Sequence, residues 1–263
     1  MFKIGLCGLG TVGKNLISHI VKYQEKISNN CGQDIMISMI ADRSIDQKEI
    51  EIENVELSSD VLSVIDSDCD LIIELIGGTD IAFELVKKSI NNGKSVITAN
   101  KALIAEHGDE LFKLSNDKKV YLGFEAAVAG AIPIIKTLTH NMSNEKILSI
   151  SGIINGTCNY ILDQMTSENK NFSDALASAK ELGYAESDPT FDIGGFDAAH
   201  KISILAMLAY RINSPYNQLH IEGIESIDSM DIDYANELGY KIKHIGLVKN
   251  NNRAIECRVH PVL

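Results

Sequence analysis

The chain of 263 residues has only four prolines and no proline-rich, low-complexity or internally repeated stretch. No repeat architecture is indicated, and any domain boundary has to fall in an ordinary loop. Its five cysteines (Cys7, Cys31, Cys69, Cys158 and Cys257) are odd in number and nowhere form a C-x-x-C pair. That spacing argues against a disulfide framework or a zinc site and fits a reducing compartment. Basic residues are in deficit, 24 against 36 acidic ones for a formal net charge of −12, and no basic run is dense enough to follow a phosphate backbone. Nucleic acid is not an expected partner. No apolar run approaches the ~18 residues of a membrane span, and the opening I-G-L-C-G-L-G is too short and too rich in glycine for a secretory core. With 45% hydrophobic residues the chain still supplies a proper core. The expectation is a cytoplasmic globular protein with no membrane segment.

Short apolar runs set the rhythm of the first half. Residues 2–7, 35–42, 70–78, 95–100 and 120–126 read as buried strands, with helical patterns between most of them. One such pattern places Leu16, Ile17, Ile20, Val21 and Ile27 on one helix face, and another places Phe83, Val86 and Ile90 on the helix over 80–91. Strands apolar on both faces and alternating with helices predict a doubly wound parallel α/β sheet over residues 1–130. From 131 to 263 the order changes to an α+β domain. A helix is expected over 131–138, a strand over 147–154, and helices near 157–168, 173–182 and 197–209, with Ser173 and Asp197 as N-caps of the last two. A short helix near 231–238 follows, then two strand-like runs joined by the hairpin signal N-N-N-R at 250–253.

The sequence G-L-G-T-V-G, from Gly8 through Leu9, Gly10, Thr11 and Val12 to Gly13, follows the first strand and opens the first helix. That context is the one a Rossmann-type dinucleotide fingerprint requires. The first glycine makes the tight turn, the second lets a pyrophosphate approach the backbone, and the helix N-terminus offers amide donors. At the end of the second strand Asp42 can accept from a ribose 2′-hydroxyl, whereas Arg43 can pair with a 2′-phosphate. Cofactor choice therefore stays open between NAD and NADP.

Five further stretches appear in order: E-L-I-G-G (74–78), T-A-N-K-A-L-I-A-E-H-G (98–108), F-E-A-A-V-A-G-A-I-P-I-I-K (124–136), G-I-I-N-G-T-C-N-Y-I-L (152–162) and G-Y-A-E-S-D-P-T-F-D-I-G-G-F-D-A-A-H-K (183–201). With the glycine turn they closely resemble the homoserine dehydrogenase family, and the resemblance runs the length of the chain. It implies NAD(P)-linked interconversion of L-homoserine and L-aspartate 4-semialdehyde, and association as a homodimer through the substrate-domain sheet. It also implies that the second domain is incomplete at its C-terminus, since family members continue past H-P, and that the regulatory ACT domain of many bacterial members is absent.

The resemblance assigns roles residue by residue. From spacing alone, Asp197 and Lys201 are an i,i+4 pair that an exposed helix could carry with no function; the family match makes Lys201 the acid/base. An alcohol that loses hydride also loses its hydroxyl proton, which a lysine amine can accept. Lys101 matches the second active-site lysine, at the C-terminal edge of a sheet strand, and serves the substrate oxygen or the cofactor. Glu186 and Asp197 match substrate contacts, Asp192 supports the same site, and Asp188, held extended by Pro189, shapes a turn. Asn155 and Thr157 of N-G-T are assigned to the substrate, and Gly183 at a helix end to the nicotinamide. Glu125 with the backbone carbonyls of Val128, Gly130 and Ile132 matches a monovalent, sodium-like cation loop, with Ala129 and Ala131 standing where the family commonly has glycine.

Two rivals remain. A transition-metal hydrolase built on the 183–201 acids has only His200 as a nearby imidazole, and it follows a different helix face from Lys201. A catalytically impaired chain that binds dinucleotide without turnover is the alternative that an incomplete substrate domain would produce.

Overall fold

A computed structural model describes residues 1–47, 52, 54–251 and 253–263. The apolar runs of the first half form six parallel strands: β1 (Phe2–Cys7), β2 (Ile35–Ala41), β3 (Glu56–Ser58), β4 (Leu71–Glu74), β5 (Ser95–Thr98) and β6 (Leu122–Gly123). Their spatial order is β3-β2-β1-β4-β5-β6. The order reverses between β1 and β4, the place where open α/β sheets bind ligands beyond their strand C-termini. Among the described residues four α-helices accompany the sheet: α1 (Thr11–Lys22), α2 (Gln24–Cys31), α3 (Asp80–Asn91) and α4 (Lys101–Lys118). One apolar layer gathers Ile4, Leu6, Ile37, Ile40 and Ile73 with Leu16, Ile17, Ile20 and Ile27. A separate layer gathers Cys7, Met39, Ile72 and Leu85. The sheet is thus covered on both faces, as the unbroken apolar strands predict.

The first helical pattern is two helices, not one. The chain turns at Tyr23 (φ −115°, ψ 20°), which lets Ile27 rejoin the core while Val21 stays 53% exposed. Val21 lies about 100° round the helix from the buried Ile20, so it cannot share that face.

Close contacts divide the chain into Met1–Pro133 and Ile134–Leu263, three residues beyond the division expected from sequence. Residues 131–133 stay with the first unit because the Ile132 amide bonds back to the Ala129 carbonyl and Ala131 adopts φ 67°, which no helix allows. The helix expected over 131–138 therefore starts late, as α5 (Ile134–Lys136), directly after Pro133, and continues as one π-helical turn over Thr137–Asn141. A proline tends to hold its predecessor out of helical geometry.

The second unit has a four-stranded sheet in the order β7-β9-β10-β8, formed by β7 (Ser149–Gly152), β8 (His220–Ile221), β9 (Lys243–Asn250) and β10 (Ile255–Val262). β9 runs antiparallel to both β7 and β10. Asn252, inside the expected hairpin turn, lies outside the described residues. The helices are α6 (Gly156–Ser167), α7 (Phe172–Glu181), α8 (Thr190–Ile193), α9 (Phe196–Tyr210) and α10 (Ser229–Glu237). α9 packs on β9 and β10. Ile161, Leu162, Met165, Ala175, Ala179, Ile193 and Ile224 form the core beneath α6 and α7; each fully buried large aliphatic side chain contributes about 1.5–3 kcal/mol.

Both expected N-caps are corrected. α7 is capped by Asn171, whose side chain accepts from the Asp174 amide, a residue type as effective as serine in that place. α9 is entered through Gly195, and Asp197 lies inside the first turn with its carboxylate engaged by side chains.

Candidate active site

Within the first unit a cavity of about 470 Å³ opens at the strand-order reversal, lined by Gly8 and Gly10 after β1, Asp42–Ser44 after β2 and Leu75–Ile81 after β4. The glycines of the first turn divide their work by geometry. Gly8 adopts φ +99°, and a Cβ there would lie 2.5 Å from the Leu75 carbonyl oxygen, while one on Gly13 would lie 2.2 Å from the Gly8 carbonyl oxygen. Those two glycines bring strand, turn and helix together. A Cβ on Gly10 would meet nothing within 4 Å, so it would protrude into the space a pyrophosphate needs. The first amides of α1 follow that open position, where a helix leaves donors for an anion. The residues therefore fit a dinucleotide.

Asp42 faces this turn. Its Oδ2 accepts from the Leu9 amide at 2.6 Å, and its Oδ1 accepts from the amide and hydroxyl of Ser44, each at 2.9 Å. The carboxylate thus clamps the glycine turn to the end of β2, while the exposed Arg43 and the half-buried Ser44 border the same cavity. Across the sheet Lys101 opens α4, whose N-cap Asn100 accepts from the Leu103 amide at 3.1 Å and donates to the Gly78 carbonyl.

In the second unit a polar cluster joins the ends of β7, α8 and α9. The Asn155 side chain caps α6 by accepting from the Cys158 amide at 2.8 Å. Its Nδ2 donates to Asp192 Oδ1 and to Asp197 Oδ2, both at 2.8 Å. Lys201 Nζ donates to the same Asp197 Oδ2 at 2.6 Å and to the Ile154 carbonyl at 2.8 Å. Thr157 donates to the Tyr184 carbonyl at 2.6 Å, with Asp192 Oδ2 at 3.1 Å from its oxygen. The Lys201 and Asp197 side chains are only 20% and 7% exposed, so the pair is no solvated helix ornament. Removing one partner of a pair this buried leaves an uncompensated charge, a cost on the order of 3 kcal/mol. Cys158 lies against the carboxylates, and burial first, then the charges of Asp192 and Asp197, push its thiol up to about 12. It is a neutral neighbour and no nucleophile.

The family profiles of homoserine dehydrogenase match both units: the NAD binding domain over residues 8–125 and the homoserine dehydrogenase domain over 133–263. The chain belongs to the homoserine dehydrogenase family. Homoserine dehydrogenase of Pseudomonas aeruginosa is 45% identical over 262 residues, covering 99% of this chain and 60% of the relative. That of Helicobacter pylori is 45% identical over 259 residues, covering 98% and 61%. The crystal structure of a homoserine dehydrogenase from Thiobacillus denitrificans superposes with a TM-score of 0.94 at 43% identity, covering all of this chain and 61% of that one. A hyperthermophilic archaeal homoserine dehydrogenase in complex with NADPH superposes at 0.81 with 26% identity, covering 99% of this chain and 81% of that one. The chain spans about 60% of the length of the first curated relatives it matches.

Against the homoserine dehydrogenase pattern, the structure brings Asn155, Thr157, Asp192, Asp197 and Lys201 together and leaves Glu186 exposed on the segment before α8. The carboxamide of Asn155 makes three protein hydrogen bonds, and the Thr157 hydroxyl is directed at a backbone carbonyl. The Asn155 side chain therefore holds both carboxylates in place, a role that the sequence alone did not suggest, and Thr157 ties the start of α6 to the Tyr184 turn. Asp188 accepts from the Thr190 amide at 3.1 Å, and bonding to Thr190 holds its carboxyl below the usual range, as its reading as a turn residue expects. Gly183 ends α7, where its amide and that of Tyr184 bond back to the Lys180 and Ala179 carbonyls, a Schellman arrangement. Glu125 opens a 3-10 turn over Glu125–Ala127. Beyond it Ala129 and Ala131 adopt φ 51° and 67°, so the loop through Val128, Gly130 and Ile132 takes the left-handed turns that glycine normally supplies, at about 1 kcal/mol or more for each alanine.

No role was expected for Glu74, yet it is 0% exposed at the end of β4. An acid inside an otherwise apolar strand, D-L-I-I-E-L-I, was the signal available. Among the described residues no helix is long and apolar enough to cross a membrane.

Proposed function

We propose that the chain catalyses the NAD(P)-linked interconversion of L-homoserine and L-aspartate 4-semialdehyde, a step toward threonine and methionine. The observation that carries this reading is the Lys201–Asp197 pair, 2.6 Å apart and fixed by Asn155, in a chain of this family. In the oxidative direction Lys201 Nζ takes the substrate hydroxyl proton; in the reductive direction it returns a proton to the forming alkoxide. A bound nicotinamide dinucleotide supplies the hydride acceptor or donor. Asp197 and the Ile154 carbonyl take two N–H donors of Nζ, leaving its third position for the reacting oxygen. That position is the lone pair of the neutral amine, which accepts the hydroxyl proton in the oxidative direction, or the third N–H of the ammonium, which returns a proton in the reductive one. Glu186 and Asp192 present carboxylate oxygens to the substrate ammonium, and the backbone of N-G-T receives its carboxylate. Lys101, one residue past the Asn100–Gly78 bond at the cavity edge, serves the cofactor or the substrate oxygen, and Gly183 serves the nicotinamide.

NADP is the favoured cofactor. Asp42 already accepts three hydrogen bonds from the chain, whereas Arg43 and Ser44 border the cavity with groups suited to a 2′-phosphate. The loop of Glu125, Val128, Gly130 and Ile132 holds a sodium-like cation in this reading, and the second sheet pairs two copies as a homodimer.

Steady-state oxidation of L-homoserine with NADP or NAD, by the chain and by Lys201→Met, is the test. Turnover by the former, and a loss of at least about 100-fold in the latter with NADPH affinity unchanged, is expected. A chain that binds NADPH without oxidising homoserine would reduce the reading to a dinucleotide-binding protein.

A further inference from the structure

A closed circuit of hydrogen bonds lies at the C-terminal edge of the first sheet. Glu74 and Thr98 stand opposite each other in adjacent strands, with Cys7 opposite Glu74 on its other side. All three are fully buried. Glu74 Oε1 accepts from the amides of Ile76 and Gly77 at 2.8 and 3.4 Å, and its Oε2 accepts from the Thr98 hydroxyl at 2.5 Å. Thr98 Oγ1 in turn accepts from the Asn100 amide at 2.9 Å. The Asn100 side chain donates to the Gly78 carbonyl, which returns to the loop held by Glu74. One arc of this circuit is the loop Leu75–Gly78 that lines the cavity; the other is the turn that starts α4 at Lys101.

A charged side chain with no exposed surface is rare because its desolvation is expensive. A threonine and hydrophobic packing would have closed the strand ends with less penalty. An ionised carboxylate does what a neutral group cannot, since it accepts on both oxygens and can bind two loops at once. Cys7, whose thiol is pushed up by burial and then by the Glu74 charge, stays neutral and adds no competing anion.

We infer that Glu74 is a positioning residue for the dinucleotide: it locks the Leu75–Gly78 loop and the Lys101 turn into one rigid edge of the cavity. The inference rests on the dinucleotide reading of that cavity and names a residue outside the groups that touch the cofactor. In Glu74→Gln the carboxamide oxygen still accepts from Ile76 and Gly77, but on the other side an N–H₂ donor replaces the acceptor. It can give a proton to the second lone pair of Thr98 Oγ1, while the Thr98 hydroxyl proton loses its acceptor and the charge that strengthened the joint is gone. In Thr98→Val the same joint is broken from the other side, and Thr98→Ser restores it.

The experiment measures NADPH affinity by fluorescence titration, thermal unfolding, and backbone amide exchange in the free protein for these three variants. Ser89→Ala serves as the control, because Ser89 is equally buried and its hydroxyl, the group removed, donates to the Leu85 carbonyl of its own helix. Expected are an affinity loss of about tenfold in Glu74→Gln and in Thr98→Val, near-normal affinity in Thr98→Ser, and faster exchange at both Ile76–Gly77 and Asn100. The control lowers the melting temperature and leaves affinity alone. If Glu74→Gln fails to fold, the Thr98 pair decides the matter. Variants that melt earlier but bind NADPH within about twofold of the parent would make Glu74 structural only, as would faster exchange in one loop alone. A parent chain that binds neither NADPH nor NADH overturns the dinucleotide reading itself, an outcome visible before any variant is made.

Discussion

The cavity of the first unit and the carboxylate–lysine cluster of the second are made of different materials. Around the cavity the surface offered to a ligand is largely backbone, namely the turn at Gly8–Gly13, the amides that open α1 and the glycine loop after β4, with side chains such as Asp42 and Glu74 bracing it from behind. In the cluster they are side chains, and a single atom, Asp197 Oδ2, receives both Asn155 and Lys201. A backbone site is damaged by adding atoms and a side-chain site by removing them, so the two regions respond to opposite kinds of substitution.

The largest effect is expected where an atom is added. In Gly8→Ala the new Cβ sits 2.5 Å from the Leu75 carbonyl oxygen at φ +99°, so the turn must shift; NADPH affinity falls at least about 100-fold and stability by roughly 2–4 kcal/mol, read by titration and denaturant unfolding. The second unit breaks by deletion. Asn155→Ala leaves Asp192 and Asp197 without their common donor, and turnover of homoserine falls about 10- to 100-fold with a stability loss of roughly 1–3 kcal/mol, while NADPH affinity stays put. Equal loss of NADPH affinity in both variants would erase the distinction.

Acid sharpens it further. His244 is buried on β9 with Nε2 donating to the Glu222 carbonyl at 2.9 Å, and burial first, with a smaller push from His260, holds its pKa below the usual 6.5. The unfolded chain therefore binds the proton better, and stability contributed by the neutral ring is present above pH ~6.5 and is lost as pH falls toward the folded pKa, by up to about 1.4 kcal/mol per pH unit. Unfolding of His244→Gln between pH 7 and 5 is expected to lose that part of the slope. The smallest effect has the opposite sign. Ala131→Gly removes a Cβ at φ 67°, and although glycine loosens the unfolded chain, the gain is about 0.5–1 kcal/mol in thermal unfolding.

The same contrast decides what was legible beforehand. The glycine turn, the alternation of strand and helix, and the Asp197–Lys201 spacing are local periodicities, and they appear in the structure where the sequence places them. Asn155 meets Asp192 and Asp197 across 37 and 42 residues, and no local pattern encodes such a bridge. Glu74 is an intermediate case: its charge in an apolar strand is visible, but its partners are known only once β4 and β5 are side by side. The N-cap at Ser173 missed because Asn171, two residues earlier, offers an equally good local cap to the Asp174 amide, and the one at Asp197 because Asn155 and Lys201 engage its carboxylate instead.

Cys158 gives the carboxylate–lysine cluster a further chemical property. Oxidation of a thiol proceeds through its thiolate and needs access to solvent, and Cys158 has neither, with no exposed surface and ionisation held off to about 12. Peroxide meets Cys31 first, the one exposed cysteine of the five, on a helix of the other unit. Cys158 therefore stays reduced under oxidising stress, and Asp192 and Asp197 keep a neutral thiol beside them.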